Sequence, residues 1–131
     1  MQQHITGNFD VKLTPQAEVP AIESAKLGRN ALDKTFYGEL SAHSVGEMLA
    51  AMTEVKGSAG YVAIERVSGT LMGKQGSFVL MHTGVMNRGT PQLTVQVVPD
   101  SGTQDLVGLT GQMGIQINAG QHVYTFDFTL P

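Results

Sequence analysis

Two neighbouring charges in an apolar run are the first candidates for chemistry. The run is Tyr61-Val62-Ala63-Ile64-Glu65-Arg66-Val67. In a strand, successive side chains leave opposite faces of the sheet. Glu65 therefore shares a side with Tyr61, Ala63 and Val67, and Arg66 shares one with Val62 and Ile64. Whichever side is buried takes one charge inward, and a buried charge needs a partner. A titratable group in a cavity, with shifted protonation, is what general acid–base work requires. His82 has the parity of Phe78 and Leu80, while His122 and Tyr124 share a side with Phe126, Phe128 and Leu130. Together with Tyr61 and Glu39, these residues form the candidate ligand-binding set. Each has a plain structural alternative: strand ends are wet, and a core tyrosine can pass its hydroxyl to the surface. Glu39, on the side of Tyr37, Ser41 and His43, fits a solvated outer face most easily.

Other chemistries find no support. His4, His43, His82 and His122 are spread along the chain without a His-x-His pair or a Glu-x-x-His, so no metal site is predicted. There is no cysteine and no Gly-x-Ser-x-Gly elbow for a nucleophile. The glycines at 69, 73 and 76 lack a following helix and a Gly-Lys-Ser/Thr, so they make no phosphate loop. No cofactor is expected, and catalytic residues are left unassigned.

The elements that must position the candidates read as strands. Ile5, Phe9, Val11 and Leu13 alternate with Thr6, Asn8, Asp10 and Lys12, giving a strand over 4–14. Pro15 and Pro20 interrupt it, and the stretch to about Arg29 reads as a loop. Residues 35–44 read as a strand with Gly38 as a bulge. Over 45–55, Met48, Leu49, Met52 and Val55 lie at helical spacing, yet the surrounding pattern favours a strand. Further strands are predicted over 61–67, 77–86, 93–97, 107–117 and 121–130. The 73–76 hairpin, Asn87-Arg88-Gly89-Thr90-Pro91, Pro99-Asp100-Ser101-Gly102 and Asn118-Ala119-Gly120 supply connections between them. Val107, Leu109, Met113, Ile115 and Ile117 share one parity, so the 107–117 strand is read as long and curved. Seven or eight short-linked strands make the chain all-β, a closed antiparallel barrel over 1–131 in preference to a sandwich.

Composition bounds the partners. The 131 residues carry a net charge of −3 with no Lys/Arg cluster, which argues against nucleic acid and a polybasic membrane anchor. No apolar run approaches the ~18 residues of a membrane span. Met1-Gln2-Gln3-His4 begins no signal peptide, and the lack of cysteine makes the cytoplasm the default location. Only 15% of residues are charged, and the 45–55 and 77–86 strands are apolar on both faces. An outer wall of that kind predicts a neighbour, and a homo-oligomer is expected.

Several segments carry a resemblance: Phe36-Tyr37-Gly38-Glu39-Leu40, Gly60-Tyr61-Val62-Ala63, Gly73-Lys74-Gln75-Gly76-Ser77-Phe78-Val79-Leu80, Pro99-Asp100-Ser101-Gly102-Thr103 and His122-Val123-Tyr124. They resemble the bacterial domain of unknown function 3224 family over nearly the whole chain. The resemblance implies a barrel like that of allene oxide cyclase, usually oligomeric, and a strand over 45–55. It carries no catalytic residues across, and no stretch matches those of allene oxide cyclase. Relatives often carry a tryptophan in the first strand, which this chain lacks. Three readings follow: a barrel that binds a small, largely apolar ligand, a cyclase or isomerase using the same polar groups, and a filled barrel acting as an oligomeric scaffold.

Overall fold

The computed structural model describes residues 2–16 and 27–131. Among these residues eight strands follow one another: β1 (Gln2–Pro15), β2 (Leu27–Phe36), β3 (Leu40–Met52), β4 (Ala59–Leu71), β5 (Lys74–Asn87), β6 (Thr90–Val97), β7 (Thr110–Asn118) and β8 (Gln121–Thr129). Each pairs antiparallel with the next, and β1 closes the barrel by pairing with β8. Phe9 is the splice point, opposite Phe36 on one side and His122 on the other. The expected closed all-β barrel of about eight strands is what the chain forms.

Alternation decides which side chains enter the barrel. In β4, Ala63, Glu65 and Val67 are buried while Val62, Ile64 and Arg66 are exposed. In β8, Tyr124, Phe126 and Phe128 are buried. One end of the barrel is filled. Leu40, Leu71, Phe78, Leu106, Leu109 and Phe128 belong to a continuous hydrophobic cluster that runs up to Phe9, Phe36 and Tyr124. Phe78 stacks on Phe126 at 5.8 Å, and Tyr124 meets Phe36 edge-on at 5.7 Å.

Three expectations need correcting. Residues 27–29, read as the end of a loop, and 30–34, assigned to no element, are most of β2. Leu32, Lys34 and Phe36 alternate inward there, but polar neighbours hid the period. The rest of that predicted loop, 17–26, lies outside the described residues. Gly38 is not a bulge. It lies in the turn between β2 and β3 at φ +107°, a conformation that suits glycine. The strand expected over 107–117 starts only at Thr110. Ahead of it a 3₁₀ turn, Gln104–Leu106, buries Leu106 and Leu109 while Val107 is 65% exposed. Val107 and Leu109, two apart, suggested a strand, but the turn buries Leu106 and Leu109 and leaves Val107 outside. The 45–55 segment is a strand to Met52, despite its helical spacing.

Tyr124 ties the splice to the β2–β3 turn. Its hydroxyl donates to the Tyr37 carbonyl at 2.9 Å and accepts from the Leu40 N–H at 3.3 Å. Tyr124→Phe leaves both backbone groups unpaired beside a buried ring. Urea unfolding is expected to show a loss of about 1–3 kcal/mol; an unchanged midpoint would show that the hydroxyl contributes nothing to closure.

Candidate functional site

Among the described residues, four polar or charged side chains are buried: Lys34, Ser44, Glu65 and His82. They form one cluster. The barrel's register brings them together from four consecutive strands. Lys34 of β2 is directly opposite Ser44 of β3. Glu65 of β4 faces Gly46 of β3 and Leu80 of β5, which places Ser44 and His82 at diagonal positions beside it. Gly46 permits the close approach: a Cβ there would lie 2.8 Å from the Glu65 Cβ and 2.0 Å from the Ile64 carbonyl oxygen.

Glu65 is fully buried and is the centre of the network. Its Oε2 accepts from Lys34 Nζ at 2.8 Å and from His82 Nε2 at 2.5 Å, and its Oε1 accepts from Ser44 Oγ at 2.6 Å. Burial alone would push this carboxyl up. The His82 hydrogen bond, the charges of Lys34 and His82, and the Lys34 hydrogen bond outweigh it and hold the group down at about 2. Lys34 Nζ also lies 5.2 Å from the Phe9 ring centroid, so its remaining surroundings are aromatic.

Beyond the cluster, towards the β3–β4 and β5–β6 hairpins, the interior opens into a cavity of about 390 Å³. Met48, Ala50 and Met52 of β3, Ala59, Gly60 and Tyr61 of β4, Gly84, Val85 and Met86 of β5, and Pro91, Gln92 and Leu93 of β6 line it. The Tyr61 ring rests over Gly84, where an added Cβ would meet Tyr61 Cε1 at 2.2 Å. Burial and then the charge of Glu65 push the Tyr61 hydroxyl up from its ordinary value. That hydroxyl has no hydrogen-bond partner among the described residues.

The candidates read from the sequence divide accordingly. Glu65 and His82 meet in the cluster, and Tyr61 separates it from the cavity. His122 is half-buried, its ring 5.1 Å from that of Phe9. Tyr124 is buried, with its hydroxyl committed to the backbone of the β2–β3 turn. Arg66 and Glu39 are exposed and lie outside the interior, so they do not join the site. Lys34 and Ser44 were missed. The parity of Lys34 with Leu32 and Phe36, and of Ser44 with Leu40 and Ala42, was the available signal. His4 and His43 pair on the outside with Asp127 and Asp33. Among the described residues no group of three or more histidine or acidic side chains is placed to hold a metal ion.

With this geometry in view, the chain can be placed among known proteins. Residues 5–128 match the family described as "Protein of unknown function (DUF3224)", and the chain belongs to that family. It is similar to the crystal structure of a protein of unknown function from the same family in Shewanella oneidensis MR-1, at 57% identity and a TM-score of 0.94. That match covers 100% of this chain and 98% of the other. No curated protein matches the chain.

The depressed carboxyl makes stability depend on acid. Its contribution is complete above the ordinary carboxyl value of 4.5 and is lost as pH falls from there through about 2. Glu65→Gln leaves the Lys34 ammonium buried without a counter-charge, which costs about 3–5 kcal/mol at neutral pH. Urea midpoints from pH 7 to pH 2 are expected to fall more steeply for the natural chain, so that the two curves converge in acid. Parallel curves would remove Glu65 as the source.

Proposed function

We propose that the protein binds a small, largely apolar molecule in the open mouth of the barrel. The observation that carries this reading is the cavity left by Met48, Ala50, Tyr61, Gly84 and their neighbours, at the one end of the interior that side chains do not fill. Its size falls within the ~300–1,000 Å³ of small-molecule sites, and apolar walls with a few polar groups are the usual composition. Small residues create the space: Ala50, Ala59, Gly60 and Gly84 border it where larger ones would occupy it.

A neutral fluorescent probe, N-phenyl-1-naphthylamine, tests the reading. Its emission is expected to rise saturably with the natural chain. Ala50→Phe, which fills the cavity, is expected to weaken binding by about tenfold or more with little change in thermal stability. Equal titrations for the two proteins would place the probe elsewhere and end the proposal.

The Glu65–His82 pair favours a second reading, in which the same mouth supports proton transfer of an isomerase or cyclase kind. Activity like that of allene oxide cyclase would rest on fold analogy alone. No helix among the described residues is long and apolar enough to cross a membrane, and a cysteine-free chain suits the cytoplasm.

A homo-oligomer is part of the proposal. On the outer wall of β3–β5, Val45, Leu49, Val62, Ile64 and Val85 are each 42–56% exposed. Glu47 and Arg29 pair with one another beside them at 2.6 Å, so the wall offers little net charge to a partner of opposite sign. A second copy, carrying the same apolar wall, is the occupant that suits it. Sedimentation of the natural chain is expected to show an oligomer that Ile64→Glu converts to monomer. A natural chain that sediments as monomer at micromolar concentration would refute this.

A further inference from the structure

Seven methionines occur in this cysteine-free chain, and three of them, Met48, Met52 and Met86, line the mouth cavity. The strand register sorts that cavity into rows across the sheet. Met52 and Met86 each lie directly opposite Ala59, one on either side, in the row nearest the hairpins. In the next inward-facing row Tyr61 lies between Ala50 and Gly84, and Met48 is opposite Ala63 one row deeper. The Tyr61 ring lies over Gly84, which carries it away from Ala50. Along β3 the inner face therefore reads Met48, Ala50, Met52, a gap of one side chain between two thioethers.

That gap has the dimensions of an aromatic ring. Residues four apart in a strand are separated by about 13–14 Å at the backbone. A thioether sits ~5 Å from a ring it contacts, so a ring held between two sulfurs needs about 10 Å between them. Two methionine side chains leaning towards each other over Ala50 supply the difference. Met52 and Met86 are 76% and 38% exposed, so packing does not pin them, and their rotatable bonds let them adapt to an occupant. We infer that the ligand of the mouth is a neutral aromatic molecule, its ring seated over Ala50 between the thioethers of Met48 and Met52, with Met86 covering its outer edge. This rests on the mouth being a binding site and deepens that reading by naming the ligand's class.

Neutrality follows from the walls. None of the described residues that line the cavity is charged, so nothing there compensates a charge taken out of water. The buried Lys34 and Glu65 are paired with each other and do not line it. Aromaticity follows from the choice of methionine. Leucine would present similar apolar surface with less rotamer freedom to lose, whereas a polarizable sulfur adds attraction for a ring. A saturated ring system gains the burial without that contact.

Two compounds with one carbon skeleton test this: 2-naphthalenemethanol is aromatic, and decahydro-2-naphthalenemethanol is fully saturated. The saturated compound is the more apolar, so burial alone predicts that it binds more tightly. The full chain, with ¹³C-labelled methionine methyl groups, is titrated with each, and single leucine substitutions assign the resonances. The aromatic compound is expected to bind about tenfold more tightly and to shift the Met48 and Met52 methyls upfield through its ring current. The saturated compound is expected to produce no such shift. The double variant Met48→Leu, Met52→Leu, which nearly conserves volume, is expected to weaken the aromatic compound about tenfold and the saturated one little. If that variant fails to fold, the methyl shifts of the natural chain decide alone. Equal or reversed affinities, or Met48 and Met52 methyls without ring-current shifts, overturn the inference and leave the binding site standing. If neither compound binds, the inference also falls. Saturable N-phenyl-1-naphthylamine emission that Ala50→Phe weakens then shows that the site itself stands, and its absence refutes the site as well.

Discussion

A carboxylate with no exposed surface must be surrounded by donors, and here the donors come from three different strands. Glu65 on β4 draws Lys34 from β2, Ser44 from β3 and His82 from β5. The ion pair and its hydrogen bonds make that half of the barrel intolerant of slippage. Sliding β4 by one residue would turn Arg66 inward against Lys34 and move Val67 out to water. The network therefore specifies register as well as consuming stability, since taking two charges out of water is expensive unless the geometry is good. Every fully buried polar side-chain atom among the described residues has a partner, which is how the fold meets that cost.

The cluster also marks where the interior changes character. On one side the space is filled by Phe36, Phe78, Phe126, Phe128 and Tyr124, rings that meet at centroid distances of 5.1–5.8 Å. On the other side alanines and glycines on β3–β5 leave a hollow beneath the hairpins. Large side chains close one end of a small barrel and small ones open the other, so the contents of the inner face decide whether the barrel is a plug or a receptacle. Tyr61 marks the transition, and its hydroxyl has no hydrogen-bond partner among the described residues.

Much of this was legible in the chain. The alternation over Tyr61-Val62-Ala63-Ile64-Glu65-Arg66-Val67 required that one charge enter the core, because a period of two leaves no other outcome. The parity of His82 with Phe78 and Leu80, and of Tyr124 with Phe126 and Phe128, placed those two inside as well. The missed strand and the misread turn have one cause. Around Lys34 a polar residue occupies an inward position, and at Leu106 and Leu109 a turn buries residues three apart, so apolar spacing misreported both segments.

Sequence alone determined which faces were apolar, that the chain is all-β, and that a charge would be buried in β4. These follow from local alternation, which needs no knowledge of distant residues. Which charge that was, and who its partners were, depended on pairing between residues separated by up to 31 positions. The barrel's closure chose Glu65 over Arg66 and set Lys34, Ser44 and His82 around it. Only tertiary structure could decide this, because the direction of a face becomes inside or outside when the sheet closes.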